Sequence, residues 1–573
     1  MINKRFESII KFLICTLISF ICITFTSRNS FLFSFQDSRD IQIFLTTARG
    51  ILDGDVLYRD VFEVKGPYLY LIYVLGIVLG RGSLIGVYFI EVILFSVYMY
   101  LSYKIASLFI ENVPVCFLIT AITGFLSTTT LKMDGGGQVE ELLLPVFSWI
   151  IYVAIKYFKE TYPKRIPASK VLLVSICFTI IFWMKYTLIG LVLGLILYLI
   201  IIQIRDKTIQ NIPYYAGLFV VGMILGTLPI AVYFTYHNAW DSLWDAYFYK
   251  LLFEYKAPDD NHYNVGTNLF WGGYIATTCF TAYAFLYSFI AMFRNKMENG
   301  HRYGVVFTML LFQAIGISFS KNWQYTAECM HTYNALGLSM FILAITEFVR
   351  LIHENSTKLV NIMEEYKDVC EKIICVMMAI GGIVLLINTE DFLMPILYIM
   401  IFCILCWCYL VKRDKVEKVI KGWKEEYHEK RRTINVLVGV LSVVIMTTYT
   451  YSFSKVSHAI GVPLEEYPQY KISQYILDSG IENPIIINYH TMDAGIYGLT
   501  NTKPPTKWVA FHNAIFEEQE TVIEEYIKEK KADFLVTEEE LELEGYRLVH
   551  SSGEMDYINK GRKIELFLYA KEK

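Results

Sequence analysis

Charge is scarce in this chain of 573 residues: Asp, Glu, Lys and Arg make up 18% of it, against 55% hydrophobic residues. A soluble domain of that length carries more charge, so a single large soluble globule is excluded. There is no internal repeat and no low-complexity tract, which excludes solenoids, propellers and disordered arrays. No basic stripe or RNA-type aromatic motif is present, so nucleic acid is excluded as a partner. Cysteine is absent from residues 453–573, so that region is not a disulfide scaffold. Cys403, Cys406 and Cys408 contain a C-x-x-C spacing, but they lie in an apolar run without His or carboxylate neighbours. They read as small apolar residues of a helix. The N-terminus places basic residues before an apolar stretch, as a signal peptide does, but the stretch is too long and no small-residue cleavage site follows. It reads as an uncleaved first helix with a cytoplasmic N-terminus.

What the chain has in quantity is apolar blocks of about 15–25 residues separated by basic residues, the length a helix needs to cross a bilayer core of about 30 Å. Transmembrane helices are expected at 8–27, 84–110, 114–130, 141–157, 171–184, 186–204, 214–236, 268–293, 304–319, 334–349, 373–388, 393–411 and 434–452. The fold class is therefore an all-α polytopic membrane domain of about 13 helices, residues 1–452, followed by a small extracytoplasmic α/β domain, residues 453–573. Lys185 interrupts the block 171–204 and marks a tight outer turn. The run 68–80 is too short to span and reads as a helix lying in the outer interface. Lys and Arg gather in the loops this count puts inside, most densely at 412–433, as the positive-inside pattern requires. Segments 28–67, 131–140, 237–267 and 320–333 then face out, together with the tail. The tail alternates β-rich runs (PIIINYH, ADFLVT, IELFLYA) with amphipathic stretches, and its 13 Lys/Arg against 21 Asp/Glu give a net of −8. That charge disfavours contact with anionic headgroups.

Polar residues collect on the outer face. The first loop holds Asp37, Asp40, Asp53, Asp55, Asp60, Glu63, Arg49, Arg59 and Lys65. From Asp40 to about Leu52 the spacing is helical, with Asp40 at the N-cap or in the first turn, where exposed backbone N–H groups favour a carboxylate. The run LKMDGGGQVEELLLP (131–145) sets three glycines, able to approach another group closely or adopt positive φ, before Glu140 and Glu141. Lys185 either faces a cavity or snorkels to the interface. Residues 320–336 add Lys321, Trp323, Glu328 and His331. Trp240, Trp244, Tyr247, Tyr249 and Lys250 suit an interfacial helix. Acids and cations beside aromatic walls at one membrane boundary fit a substrate with a lipid tail and a polar head.

These motifs resemble those of bacterial GT-C fold glycosyltransferases, in the family 39-like branch related to protein O-mannosyltransferases and the lipid A aminoarabinose transferase. The resemblance rests on Asp40 four residues before Phe44, on Gly54, Tyr58 and Asp60, on Lys65-Gly66-Pro67, on GGGQVEELLLP, on Lys185 with Gly190, and on His331. Val64 stands where relatives often have His, and Thr332 displaces a Tyr after His331. The resemblance implies a multi-pass enzyme of the cytoplasmic membrane. It would move a hexose or pentose from a polyprenyl-phosphate donor to a lipid, glycan or protein acceptor on the outer face, with inversion. It implies Asp40 as base, with Asp37 as runner-up, and Lys65, Lys185 and Arg59 around the lipid phosphate. Glu63, Glu140, Glu141 and His331 would complete the substrate site. A divalent metal is left open, and the DSRD run is not a metal site by itself. The competing readings are a secondary transporter, for which the expected inverted repeats and mid-membrane charges are missing, a lipid-linked glycan polymerase or ligase, and a non-catalytic scaffold.

Overall fold

The computed structural model describes residues 2–129, 135–254, 279–294, 297–320, 326–354, 443–509, 516–556 and 563–572. The expected spans 373–388 and 393–411 and the basic loop 412–433 lie outside the described residues, as do Lys321 and Trp323. Residues up to Gly337 and from Met446 onward form one compact unit, and Leu338–Ile445 a separate one. The site lies wholly in the first.

Helices dominate that unit: α1 (Ile2–Thr26), α2 (Arg39–Leu52), α3 (Pro67–Leu79), α4 (Ile85–Ser107), α5 (Val113–Thr129), α6 (Val139–Lys156), α7 (Ala168–Lys185), α8 (Gly190–Arg205) and α9 (Ile212–Tyr236). Further helices of this unit run over Cys279–Arg294 and Met297–Ser318, and the helix Asn334–Glu354 begins in it and lies mostly in the other. Six segments among the described residues are long and apolar enough to cross a membrane. In lipid such runs can only be helical, because every backbone donor must find its partner within the segment. The expected count was higher. Two of the difference are α5 and α8, which hold 17 and 16 residues. At 1.5 Å per residue they reach about 25 Å, short of a full hydrocarbon core of about 30 Å.

Lipid-facing and packed sides separate cleanly on α9. Val220, Ile224, Leu228 and Val232 recur every four residues and are exposed, while Gly222, Gly226, Ile230 and Phe234 are buried. The small residues of the second set let α9 lie close along α7, its main neighbour. Elsewhere α1 packs on α4, and α8 on Met297–Ser318. The expected turn at Lys185 is present: α7 ends there, one 3₁₀ turn follows, and α8 starts at Gly190. The short run expected at the interface is α3, whose Pro67 sits in the first turn, where a missing N–H costs nothing.

The tail carries a four-stranded sheet of order β1 (Ile486–Asn488), β2 (Phe534–Thr537), β6 (Phe567–Lys571), β3 (Tyr546–Ser551). β1 and β2 run parallel, with helix Glu517–Lys528 in the crossover, and β6 is antiparallel to both β2 and β3. Strands β4 (Met555–Asp556) and β5 (Lys563–Ile564) make a separate pair. All of β2, FLVT, is buried, as a central strand covered on both faces must be.

The first loop and the tail are packed into one another. Phe33 lies in the tail core with Val456, Ile472, Ile486, Phe534 and Leu568. The Phe62 ring sits 4.3 Å from Trp508 and 5.4 Å from Phe516, centre to centre, and its N–H donates to the Lys507 carbonyl at 2.6 Å. Thr46 donates to the buried Asp493 carboxylate at 2.5 Å, and Arg39 pairs with Glu538 at 2.5 Å. Lys503 bridges Asp53 and Asp55. α2 is thereby held on one side by α3 and on the other by the tail. Phe62→Ala should cost about 3–5 kcal/mol at this junction, the usual range for emptying a buried Phe site. We expect the tail of that variant to become the first site of limited proteolysis, and an unchanged digestion pattern would show that Phe62 does not clasp the two parts.

Candidate functional site

The glycine run is the pivot of the site. Gly135, Gly136 and Gly137 all have φ between 81° and 86°, a region closed to most side chains. A Cβ on Gly136 would stand 2.3 Å from the Ser27 Oγ and 2.6 Å from the Glu91 Oε1. One on Gly137 would stand 2.5 Å from the Tyr73 hydroxyl. The backbone therefore lies directly on three polar side chains. It is fixed there by Tyr73 donating to the Gly137 carbonyl at 2.8 Å and by the Gly137 N–H donating to Glu141 at 2.9 Å. Both uses of glycine expected from the sequence, close approach and positive φ, occur together.

Glu91, Glu141 and Asp40 are the acids that act electrostatically on Tyr73. Glu91 is buried within α4 and accepts from Ser27 and from Asn29 at 3.1 Å. It was not anticipated, although a lone acid in the apolar run IGVYFIEVILF is the usual sign of a functional intramembrane group. Asp40 is in the first turn of α2 and is half-buried. No hydrogen bond or ion pair engages its carboxylate among the described residues. Ser38, not Asp40, occupies the N-cap.

Asp37 is in a different situation. It is buried against Arg28, whose side chain is itself fully buried, and the two form an ion pair. Burial pushes the Asp37 carboxyl up and the guanidinium pulls it down, with burial the larger influence. Arg28 also donates its backbone N–H to Gly135 at 2.7 Å, so the pair anchors the glycine run to the end of α1.

Lys65 and Lys185 line one cavity of about 590 Å³. Its other walls include Tyr186, Tyr247, Leu251 and Phe312, so two cations sit in an otherwise largely apolar recess. Gly66 explains how they meet. Its N–H donates to the Met184 carbonyl at 3.0 Å, and a Cβ there would be 2.0 Å from the Trp183 carbonyl oxygen. Only glycine lets the loop touch the end of α7. Glu63 shapes the same loop: buried, it accepts from the Lys65 N–H at 2.9 Å and from the Tyr70 hydroxyl. The Tyr58 hydroxyl closes the turn by donating to the Lys65 carbonyl at 2.6 Å. Burial holds the Tyr58 phenol well above its ordinary range, so it remains a donor. The Lys65 ammonium lies 5.8 Å from the centre of the Phe44 ring, a cation–π distance. Phe44 is one turn after Asp40 on α2, and Asp40 itself is not among the residues that line the cavity.

Lys185 pairs with Glu140, which is 4% exposed, so the amine faces a partner rather than reaching to the interface. His331 is fully buried in a 3₁₀ segment packed on α6, with Nε2 2.9 Å from Glu328 and Nδ1 3.0 Å from the Asn334 amide. Arg59 is not brought to the cavity. Its guanidinium is 47% exposed, bonded to Asp60 and to the His237 carbonyl at 3.2 Å. That pairing holds the Asp60 carboxyl below the usual carboxylate range. Among the described residues no group of three or more His, Cys, Asp or Glu is placed to hold a metal ion.

Gly66→Ala should therefore act through geometry. The forced shift of the loop displaces Lys65 and strains the contact with the end of α7, so the variant should unfold at a lower temperature. A melting temperature equal to that of the natural chain would show that the close approach is not needed.

No protein-family model matches this chain, and no curated protein matches it by sequence.

Proposed function

We propose that this membrane protein is a GT-C-type glycosyltransferase of about 13 transmembrane helices. It transfers a sugar from a polyprenyl-phosphate carrier to an acceptor on the outer face of the cytoplasmic membrane. The observation that carries this reading is the pairing of two features. One is an unengaged, half-buried carboxylate, Asp40, at a helix start. The other is a recess with Lys65 and Lys185 set in apolar walls. A carboxylate can take the proton of an acceptor hydroxyl as its oxygen attacks the anomeric carbon. The bond from that carbon to the phosphate oxygen breaks, and the polyprenyl phosphate leaves with the electron pair. The developing negative charge is met by the ammonium groups, which are worth most in a low-dielectric recess. Glu140 fixes the position of Lys185, Glu63 that of the Lys65 loop, and Glu141 that of the glycine run. Asp37, tied to Arg28, serves as an anchor, and His331 with Glu328 supports α6 from behind.

The test is direct. The purified protein, reconstituted in liposomes, is given polyprenyl-phosphate-linked hexoses and pentoses with extracted envelope acceptors. Release of free polyprenyl phosphate is expected with at least one donor. Absence of release with every donor, or solute flux in place of it, overturns the reading. Comparison of surface glycans between a strain lacking the protein and its parent identifies the acceptor.

A further inference from the structure

Between the end of α6 and the start of α7, at the end of α7 away from Lys185, lies a second cavity that sugar transfer leaves unused. α7 has 18 residues between Ala168 and Lys185, so the two ends are separated by about 25 Å at 1.5 Å per residue. At the remote end the turn after α6 and the turn after α8 enclose about 790 Å³. Lys159, Lys164, Arg165 and Arg205 line it, with Asp206 and His301. Four fixed cations thus face one carboxylate.

The internal partners do not neutralise this excess. Asp206 bonds to Arg205 at 2.8 Å and accepts from the Tyr162 hydroxyl. Arg165 is held by neutral groups, the Asn211 side-chain amide oxygen at 2.9 Å and the Tyr214 ring at 4.5 Å. Lys159 donates to the Leu108 carbonyl. The Lys164 ammonium has no hydrogen bond or ion pair among the described residues. An arrangement of oriented cations with one acid among them is complementary to a phosphate.

The second observation is what adjoins it. Tyr157, Phe158, Gln203 and Tyr215 line the polar cavity and also an apolar crevice of about 320 Å³ between α6, α7, α8 and α9. The crevice walls include Val153, Val174, Leu199, Ala216, Phe219 and Val220, the last of which belongs to the lipid-facing stripe of α9. A cationic recess that continues into an apolar slot at the membrane boundary matches an amphiphile with an anionic head. We infer that this is a binding site for an anionic phospholipid, with its phosphate among Lys164, Arg165 and Arg205 and an acyl chain in the crevice.

Native mass spectrometry of the full-length protein, equilibrated with phosphatidylglycerol or phosphatidylcholine, tests it. Phosphatidylglycerol should be retained in preference. Lys164→Gln with Arg165→Gln should lower its occupancy about fivefold per charge removed, about 25-fold together. Lys528→Gln with Lys531→Gln, the same charge change on exposed tail residues, should leave occupancy unchanged. Ala216→Trp fills the crevice with every cation in place and should also expel the lipid. Equal retention by the natural chain and the Lys164/Arg165 variant, or equal retention of the two lipids, would overturn the site. Displacement of phosphatidylglycerol by equimolar glycerol 3-phosphate would assign the cavity to a soluble phosphate and overturn the lipid.

Discussion

Asp40→Asn is expected to lower sugar transfer by about 10²–10⁴-fold, the usual contribution of a positioned general base, with little change in stability. The two halves of that expectation have separate grounds. The rate loss follows from removing the carboxylate that the proposed reaction uses to accept the acceptor's proton. The small stability effect follows from the surroundings: the carboxylate makes no hydrogen bond or ion pair among the described residues, and Asn has the same shape. What Asn forfeits is the attraction of the α2 N-terminus for a negative charge, about 0.3–1 kcal/mol. Polyprenyl phosphate release and thermal unfolding, measured on the same preparation, read the two halves independently. Turnover within tenfold of the natural chain would remove Asp40 from the reaction. Folding and turnover lost together would instead make it a structural residue.

Arg28→Met should be the most damaging single change to the fold, at about 3–5 kcal/mol, because it leaves a buried carboxylate without its counter-charge. Asp37 is buried beside Arg28, and the pair stands where the glycine run meets the end of α1. Adding Asp37→Leu should return much of the loss, since an apolar pair of similar volume is often as stable as a buried ion pair. The sign of the pH dependence is also fixed. Removing Arg28 takes away the strongest influence that opposes burial, so the folded-state carboxyl rises further above its unfolded value near 3.9. The folded state then holds a proton that the unfolded state has released. The single variant should accordingly lose stability as pH rises from about 4, and the double variant should not. Unfolding temperatures across that range decide it. A single variant as stable as its parent at neutral pH would show that the pair does not anchor the loop.

Much of the local structure was legible because it is written in spacing. The apolar face Ile41, Phe44, Leu45, Ala48 and Leu52 announced α2, which the structure places at Arg39–Leu52. The break at Lys185 and the short run after Pro67 were readable for the same reason, and so were β1, β2 and β6 as β-rich runs. β3 was missed: YRLVHS mixes exposed and half-buried positions at the sheet edge, so its pattern is weak. The apolar runs of α5 and α8 were legible too, but not their lengths of 17 and 16 residues, since hydropathy does not register where a helix stops.

The site was legible as a set of residue types and not as a set of partnerships. Spacing to Phe44 sets Asp40 apart from Asp37, but nothing in the order of residues shows that Asp37 is buried against Arg28. Arg59 and Lys65 look equivalent in the loop, yet one is taken up by its neighbour Asp60 and the other reaches the recess with Lys185. Glu91 was hidden because its partners Ser27 and Asn29 are more than 60 residues away. The clasp of Phe62 by Trp508 and Phe516 is likewise a meeting of distant segments that no local period records.

That clasp sets an order of events during synthesis. Arg39, beside Asp40, and its partner Glu538 are separated by 499 positions. A ribosome adding roughly 5–20 residues per second needs roughly 25–100 s to cover that distance. For that interval α2, the helix bearing Asp40, has one of its two supports not yet made. The packing around α2 is therefore completed late in translation, by the segment made last, and nascent chains released early would carry every residue of the recess without the brace that steadies the first loop.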